Sequence, residues 1–337
     1  MRKTNLDLIR VIAIMAVVFG HTIMLFWDFD PAAPVWAVYN LLWLLVRGFL
    51  MLFFMISGTL FLSRDRLPFK KHMRRVGHML LLFYGWSLVL NGIDTLFLHY
   101  WTDSGTFLTR FLGGYFHLWF LPTMALCYCV LPLLHGLRYG DRDNIRKGTV
   151  LLFAIVTVST TLNAIPDKPA WLTAALAPYK LQQLQYFVIM PMGWQLYEHR
   201  LTGKKLGVLG IAAVLSCVLF AWLNRAYALR VGAASDVYYK DLSISAGLMG
   251  AFVYSLLLGV RALPARAAGV LKTLSTCTMG VYLLHPVLID ALRSRHWELS
   301  HYSALWLFPL CYCVFLLVPL GISWIMLKIP GLRDTIT

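Results

Sequence analysis

Ten runs of mostly apolar residues, separated by short polar connections, follow one another along the chain. They cover roughly 6–27, 37–62, 77–100, 115–136, 148–164, 182–198, 206–223, 243–260, 270–291 and 304–327. A helix needs about 20 such residues to cross the hydrocarbon core of a bilayer. The pattern therefore predicts an all-α, polytopic membrane protein with about ten transmembrane helices. The fifth and sixth runs are the weakest. Between them lies the polar, Pro-containing stretch NAIPDKPAWLTAALAPYK, residues 163–180, whose composition also suits a segment that re-enters the membrane. With no internal repeat, the expected organisation is a single transmembrane domain over 1–337 without an appended soluble domain.

The first run, DLIRVIAIMAVVFGHT from Asp7 to Thr22, contains two residues that lipid disfavours, Arg10 and His21. Eleven residues at 3.6 per turn is close to three whole turns, so both sit on one helical face, about 16 Å apart along the axis. An arginine within a span costs about 2.5–3.5 kcal/mol on insertion scales and normally faces a cavity or a partner. Thr4 and Asp7 have capping-box spacing, which starts the helix near Asn5. Asp7 also precedes Arg10 by three residues, within pairing reach on one face. Singly, a snorkelling Arg10 and an interfacial His21 are ordinary; on a shared face they point to a polar path.

Other spans carry isolated polar positions. Arg47 enters the second span from the side opposite the N-terminus and needs a counter-charge or a polar cavity. Ser57 and Gly58 suit close helix packing. His117 and Trp119 open the fourth span, where an aromatic belt accounts for Trp119, Phe116 and Phe120. In the ninth, Tyr282 and His285 are three apart and share a face, and Pro286 disturbs the helix locally. Three histidines and one tyrosine thus fall in the far halves of three spans, the pattern of a polar chamber, although Tyr282 alone would pass as packing.

Composition supports the membrane class: 59% of the residues are hydrophobic and 13% charged, against about 45–50% and about 25% in globular chains. A net charge of +15 would suit nucleic acid, but its placement removes that partner. The connections alternate, and one set, with the two ends of the chain, holds about two-thirds of all Lys and Arg. The positive-inside rule then places both termini in the cytoplasm and makes the lipid bilayer the partner of the charge. Within that set, KKHMRR supplies Lys71, Arg74 and Arg75. Lys71 and Arg74, three apart as a helix begins, can hold a phosphorylated ligand from the cytoplasm. The six cysteines lie in apolar runs without zinc spacing, and each C-x-C pair points its thiols to different sides. Neither a disulfide nor a metal site is expected. The N-terminal run is too long for a signal peptide and lacks a small-x-small cleavage site, so it is expected to remain as the first span.

Several of these stretches, in order, resemble the acyltransferase-3 family of bacterial integral-membrane acyltransferases. They are the Arg-x10-His arrangement of RVIAIMAVVFGH, then FFMISG, KKHMRR, HLWFL and GVYLLHPVL, and together they cover essentially the whole chain. Within the family, size and wording are most like the stand-alone enterobacterial type that acetylates the common-antigen polysaccharide. The family usually shows Arg-x-x-Arg in the basic stretch, whereas Lys71 stands first here. Lysine keeps the charge and loses the planar fork, which puts a bidentate grip in doubt at that position. The resemblance implies transfer of an acyl group, usually acetyl from cytoplasmic acetyl-CoA, to a hydroxyl of a cell-surface glycan or its polyprenyl-linked precursor in the bacterial inner membrane. It implies that Arg10 and His21 are essential and that Lys71 and Arg74 help bind the donor. Acetyl-CoA is a substrate; no permanently bound cofactor is implied.

The residues fit this chemistry. Coenzyme A carries several phosphates and would dock on the basic face near Lys71, Arg74 and Arg75, threading its pantetheine arm beside helix 1. Arg10 would grip the donor, and the thioester would arrive near His21. Neutral imidazole near pH 7 can take the acceptor hydroxyl's proton as its oxygen attacks; transient acylation of His21 is a second route. Arg47, Ser57, His117, Trp119, Tyr282 and His285 are candidates for oxyanion or acceptor contacts. A transporter or flippase is the alternative, because intramembrane Arg and His also mark substrate pathways. Against it, no paired halves with matching broken helices are visible.

Overall fold

The computed structural model describes residues 4–26, 31–99, 106–136, 139–169, 186–233, 235, 237–260, 263–295 and 304–336. Among them are twelve α-helices and no strand. The helices are α1 (Thr4–Ile23), α2 (Pro34–Arg47), α3 (Met51–Leu62), α4 (Phe69–Ile93), α5 (Phe107–Gly113), α6 (Phe120–Gly136), α7 (Arg142–Ala164), α8 (Ile189–Glu198), α9 (Gly203–Val231), α10 (Ile244–Leu258), α11 (Ala265–Arg293) and α12 (Ala304–Met326). The protein is an all-α, multi-pass membrane protein.

A helix occupies each of the ten apolar runs, with α2 and α3 joined through a 3₁₀ turn at Gly48–Leu50 into the second. Seven helical stretches among the described residues are long and apolar enough to cross a bilayer unaided. The exceptions are α6 with 17 residues, α10 with 15 and α8 with 10. At 1.5 Å per residue, α6 and α10 span about 26 and 22 Å, short of a hydrocarbon core of about 30 Å. Short helices are tolerated where protein, not lipid, closes their ends. The Ser243 hydroxyl accepts from the Ala246 N–H at the start of α10. At its end, Asn5 Nδ2 donates to the carbonyls of Leu258 (2.7 Å) and Val260 (3.0 Å), and Arg200 Nη1 to Leu258 (3.3 Å). These side chains satisfy carbonyls that a helix terminus leaves without partners.

The fourth span begins later than expected. Its helix starts at Phe120, and residues 114–119 form a non-helical turn closed by Leu118 N–H to Tyr115 C=O (2.8 Å) and Leu121 N–H to Leu118 C=O (3.0 Å). Gly114 leads into it at φ +81°, backbone that favours glycine. Tyr115, His117 and Leu118 are buried in this turn. The re-entrant reading of 163–180 falls mostly on 170–185, which lie outside the described residues, as do Arg2 and Lys3.

Two features set the positions of the functional helices. α3 and α8 are in backbone contact: a Cβ at Gly58 would stand 2.0 Å from the Met190 carbonyl oxygen, and one at Gly193 2.4 Å from Met55 Cα. Small residues permit such approach, the usual means of association in a membrane, so Gly58 is a packing residue as its surroundings suggested. α1 and α11 run parallel and side by side, joined towards one end by Ser275 Oγ to Asp7 Oδ1 (2.8 Å) and towards the other by a contact between His21 and His285. All six thiols are free, and Cys127/Cys129 and Cys311/Cys313 each pair one buried with one exposed residue.

Candidate active site

The site lies between α1, α3, α4, α6 and α11. Arg10 and Val17 on α1 face a cavity of about 170 Å³, as do Ser57 on α3, Met79 on α4, Tyr128 on α6, and Thr278 and Tyr282 on α11. The spacing explains this: Arg10 and Val17 are seven apart, and Thr278 and Tyr282 four apart, so each pair lies on one helical face. The polar groups of the wall are Arg10, Ser57, Tyr128, Thr278 and Tyr282, and the remainder is apolar. Arg10 pairs with Asp7 at 3.5 Å, the i,i+3 contact expected from sequence. The Ser57 hydroxyl lies 3.3 Å from that of Tyr128.

One turn beyond Val17 and one turn beyond Tyr282 sit the histidines. His21 Nδ1 is 2.7 Å from His285 Nε2, and the ring centres are 5.0 Å apart with an interplanar angle of 11°, so the two rings meet edge to edge. His117, from the buried turn before α6, is 6.0 Å from the His285 ring and 5.2 Å from that of Tyr282. The Tyr282 hydroxyl donates to the His117 carbonyl. Neither buried ring nitrogen of His117 has a partner in hydrogen-bond geometry. His21 is half-buried, while His117 and His285 are buried. The three histidines and the tyrosine singled out from sequence are thus brought together, and of them Tyr282 lines the cavity.

The remaining expected residues divide. Arg75 is half-buried, with its guanidinium 5.2 Å from the centre of the Phe61 ring, and Arg64 lies 5.1 Å from the same ring. The Phe61 ring is in turn 5.2 Å from that of Tyr128, which lines the cavity, so Arg75 stands on the Tyr128 side of it. Lys71 and Arg74 are exposed and line no part of it. Arg47 found the counter-charge it needed: Nη2 is 2.6 Å from Asp241 Oδ1, Nε donates to the Tyr239 carbonyl at 2.9 Å, and the guanidinium lies 5.2 Å from the Trp43 ring. Trp119 is half-buried against Tyr186, with ring centres 5.6 Å apart, away from the cavity wall.

Sequence reasoning missed three parts of this region. Tyr128, the partner of Ser57, carried no signal of its own within ALCYCVL. Thr278 was within reach, being four residues before Tyr282 on a face already of interest. Asp290 is fully buried and accepts from the Tyr115 hydroxyl at 2.6 Å, behind the histidines; a carboxylate inside the ninth apolar run was the available sign.

These features define a helical membrane protein with a histidine cluster beside one end of an intramembrane cavity and Arg10 at the other. The acyltransferase-3 family model, described as an acyltransferase domain, matches residues 3–328, so the chain belongs to this family and is a membrane acyltransferase. No curated protein and no solved structure matches it significantly.

Proposed function

We propose that this protein moves an acetyl or similarly short acyl group from cytoplasmic acyl-CoA to a hydroxyl of a surface glycan or its polyprenyl-linked precursor, in the bacterial inner membrane. The observation that carries this reading is the cavity of about 170 Å³ with Arg10 at one end and Tyr282, beside the histidines, at the other. Its walls are mostly apolar, which suits a pantetheine arm. The donor's phosphates meet Arg75, Arg74 and Lys71 outside the membrane core, where charge-assisted contacts are strong.

In the proposed reaction, the acceptor hydroxyl oxygen attacks the thioester carbonyl carbon and His21 takes the hydroxyl proton. The C–S bond then breaks, and the proton leaves with the coenzyme A sulfur. Atoms balance as acyl-CoA plus alcohol giving ester plus coenzyme A. An acyl group held transiently on His21 is the variant of this route that would let it change sides. A lipopolysaccharide, a common antigen, an exopolysaccharide or a peptidoglycan sugar would each supply such a hydroxyl.

The test uses purified protein in nanodiscs with acetyl-labelled acetyl-CoA and a polyprenyl-linked glycan. Wild type is expected to consume thioester and label the glycan; His21→Ala is expected to lose this by at least about 10²-fold while inserting normally. Full glycan acetylation by His21→Ala, or glycan movement without thioester consumption, overturns the reading.

A further inference from the structure

We infer that His285 is a positioning residue that holds His21 as its Nδ1–H tautomer and so leaves Nε2 of His21 as the bare lone pair. This rests on the reading of His21 as the proton acceptor and adds which of its nitrogens does the work, and why.

The argument is one of donor and acceptor counting. His285 Nδ1 lies 2.8 Å from the Val281 carbonyl oxygen. A carbonyl can only accept, so that nitrogen carries the proton; two lone pairs facing each other at this distance would repel. The imidazole also adjoins the Tyr282 carbonyl. Pro286 follows His285 and has no N–H, so it cannot supply the bond that Tyr282 C=O would receive from position 286 in an uninterrupted helix. Both carbonyls thus favour a proton on the same side of the ring. A neutral imidazole with its proton on Nδ1 has an acceptor at Nε2. That acceptor is 2.7 Å from His21 Nδ1, so His21 Nδ1 must donate.

The result is a one-way chain from His21 Nδ1–H to His285 Nε2 and from His285 Nδ1–H to Val281 C=O. His21 Nε2 makes no hydrogen bond among the described residues, and neither ring is hydrogen-bonded to a carboxylate. His117 does not compete for His285, since neither of its ring nitrogens is in hydrogen-bond geometry with that imidazole. The second imidazole therefore does for His21 what a carboxylate does in other triads, fixing the tautomer and orientation of the base, but without bringing a negative charge into the membrane. In Ser-His-Asp triads, losing the correct tautomer costs about 10⁴-fold.

Nitrogen NMR of full-length, ¹⁵N-histidine-labelled protein in nanodiscs reads this without turnover. Wild type is expected to show His21 with a protonated Nδ1 and an imine-type Nε2 at neutral pH. A proton on His21 Nε2 overturns the inference, and this needs no variant to fold. His285→Gln places an amide oxygen near the position of Nε2; it is expected to keep the His21 tautomer and hold kcat within about 10-fold of wild type. His285→Leu removes the acceptor and is expected to populate His21 Nε2–H and lower kcat by about 10²–10⁴-fold. An unchanged tautomer and kcat in His285→Leu also overturns it. The parent reading fails separately: a wild-type spectrum as stated, with undiminished turnover in His21→Ala, leaves the tautomer assignment standing and removes the base.

Discussion

The basic side chains at the start of α4 are not equivalent, and their surroundings rank them. Lys71 and Arg74 are exposed, whereas Arg75 is half-buried over Phe61, which packs on Tyr128 of the cavity wall. An exposed charge contributes about 0.2–1 kcal/mol to a pair, and salt screens it. A charge-assisted hydrogen bond in a partly enclosed site contributes about 1.5–3 kcal/mol. Lys71→Ala is therefore expected to raise KM for acetyl-CoA by no more than about 5-fold, with the effect fading as salt is added. Arg75→Ala is expected to raise it by about 10-fold or more and to keep more of the effect in salt. Steady-state kinetics at low and high ionic strength checks both; equal effects from the two substitutions would remove the distinction.

At the scale of elements, the α3–α8 contact fixes where Ser57 faces the cavity. A Cβ at Gly58 would overlap the Met190 carbonyl at 2.0 Å, whereas one at Gly77 on α4 meets nothing within 4 Å. Gly58→Ala is expected to destabilise by roughly 1–3 kcal/mol or more, since a packed backbone must move. Gly77→Ala is expected to be neutral or to stabilise by up to about 1 kcal/mol, through helix propensity. Unfolding in detergent, followed by loss of helical circular dichroism, should show opposite or clearly unequal shifts; equal destabilisation would mean that α3 does not rest on α8 as described.

The same elements show what sequence could reveal. Arg10 and His21 share a face because helical periodicity is a property of one strand of chain, and that was legible. The start of α6 was not, because Tyr115, Phe116 and Leu118 continue an apolar run whether the backbone is helical or turned. Nor was the rotation of α4: in FKKHMRR nearly every side is polar, and it is the burial of His72, whose Nε2 lies 2.6 Å from the Tyr128 carbonyl, that decides which cation turns inward. The His21–His285 contact joins residues 264 positions apart, and only the pairing of α1 with α11 brings it about.

Over the whole molecule, the distribution of charge and the direction of the cavity have to agree. The connections at one end are held together by His135 Nε2 with the Arg64 carbonyl (2.7 Å), by the Tyr139 hydroxyl donating to the Asp65 carbonyl (3.0 Å), and by Asn5 on Leu258. These are the basic connections, and Arg10, near the start of α1, lies at the end of the cavity nearer to them. The other end carries the Arg110–Asp94 pair at 2.9 Å, the Arg47–Asp241 pair and the histidines. If basic connections remain cytoplasmic, a phosphate-bearing donor reaches Arg10 from the compartment that contains it, and the acceptor meets His21 from the opposite half of the bilayer. This orientation is testable with single cysteines placed in a protein whose own six are replaced by serine. Asp65→Cys, on an exposed basic connection, is expected to react with a membrane-impermeant maleimide only in inside-out vesicles. Thr106→Cys, exposed at the start of α5, is expected to react only in right-side-out cells. The reverse pattern would put Arg10 on the side that holds no acyl-CoA, and the route from donor to histidine would have to be abandoned even if every distance within the site were right.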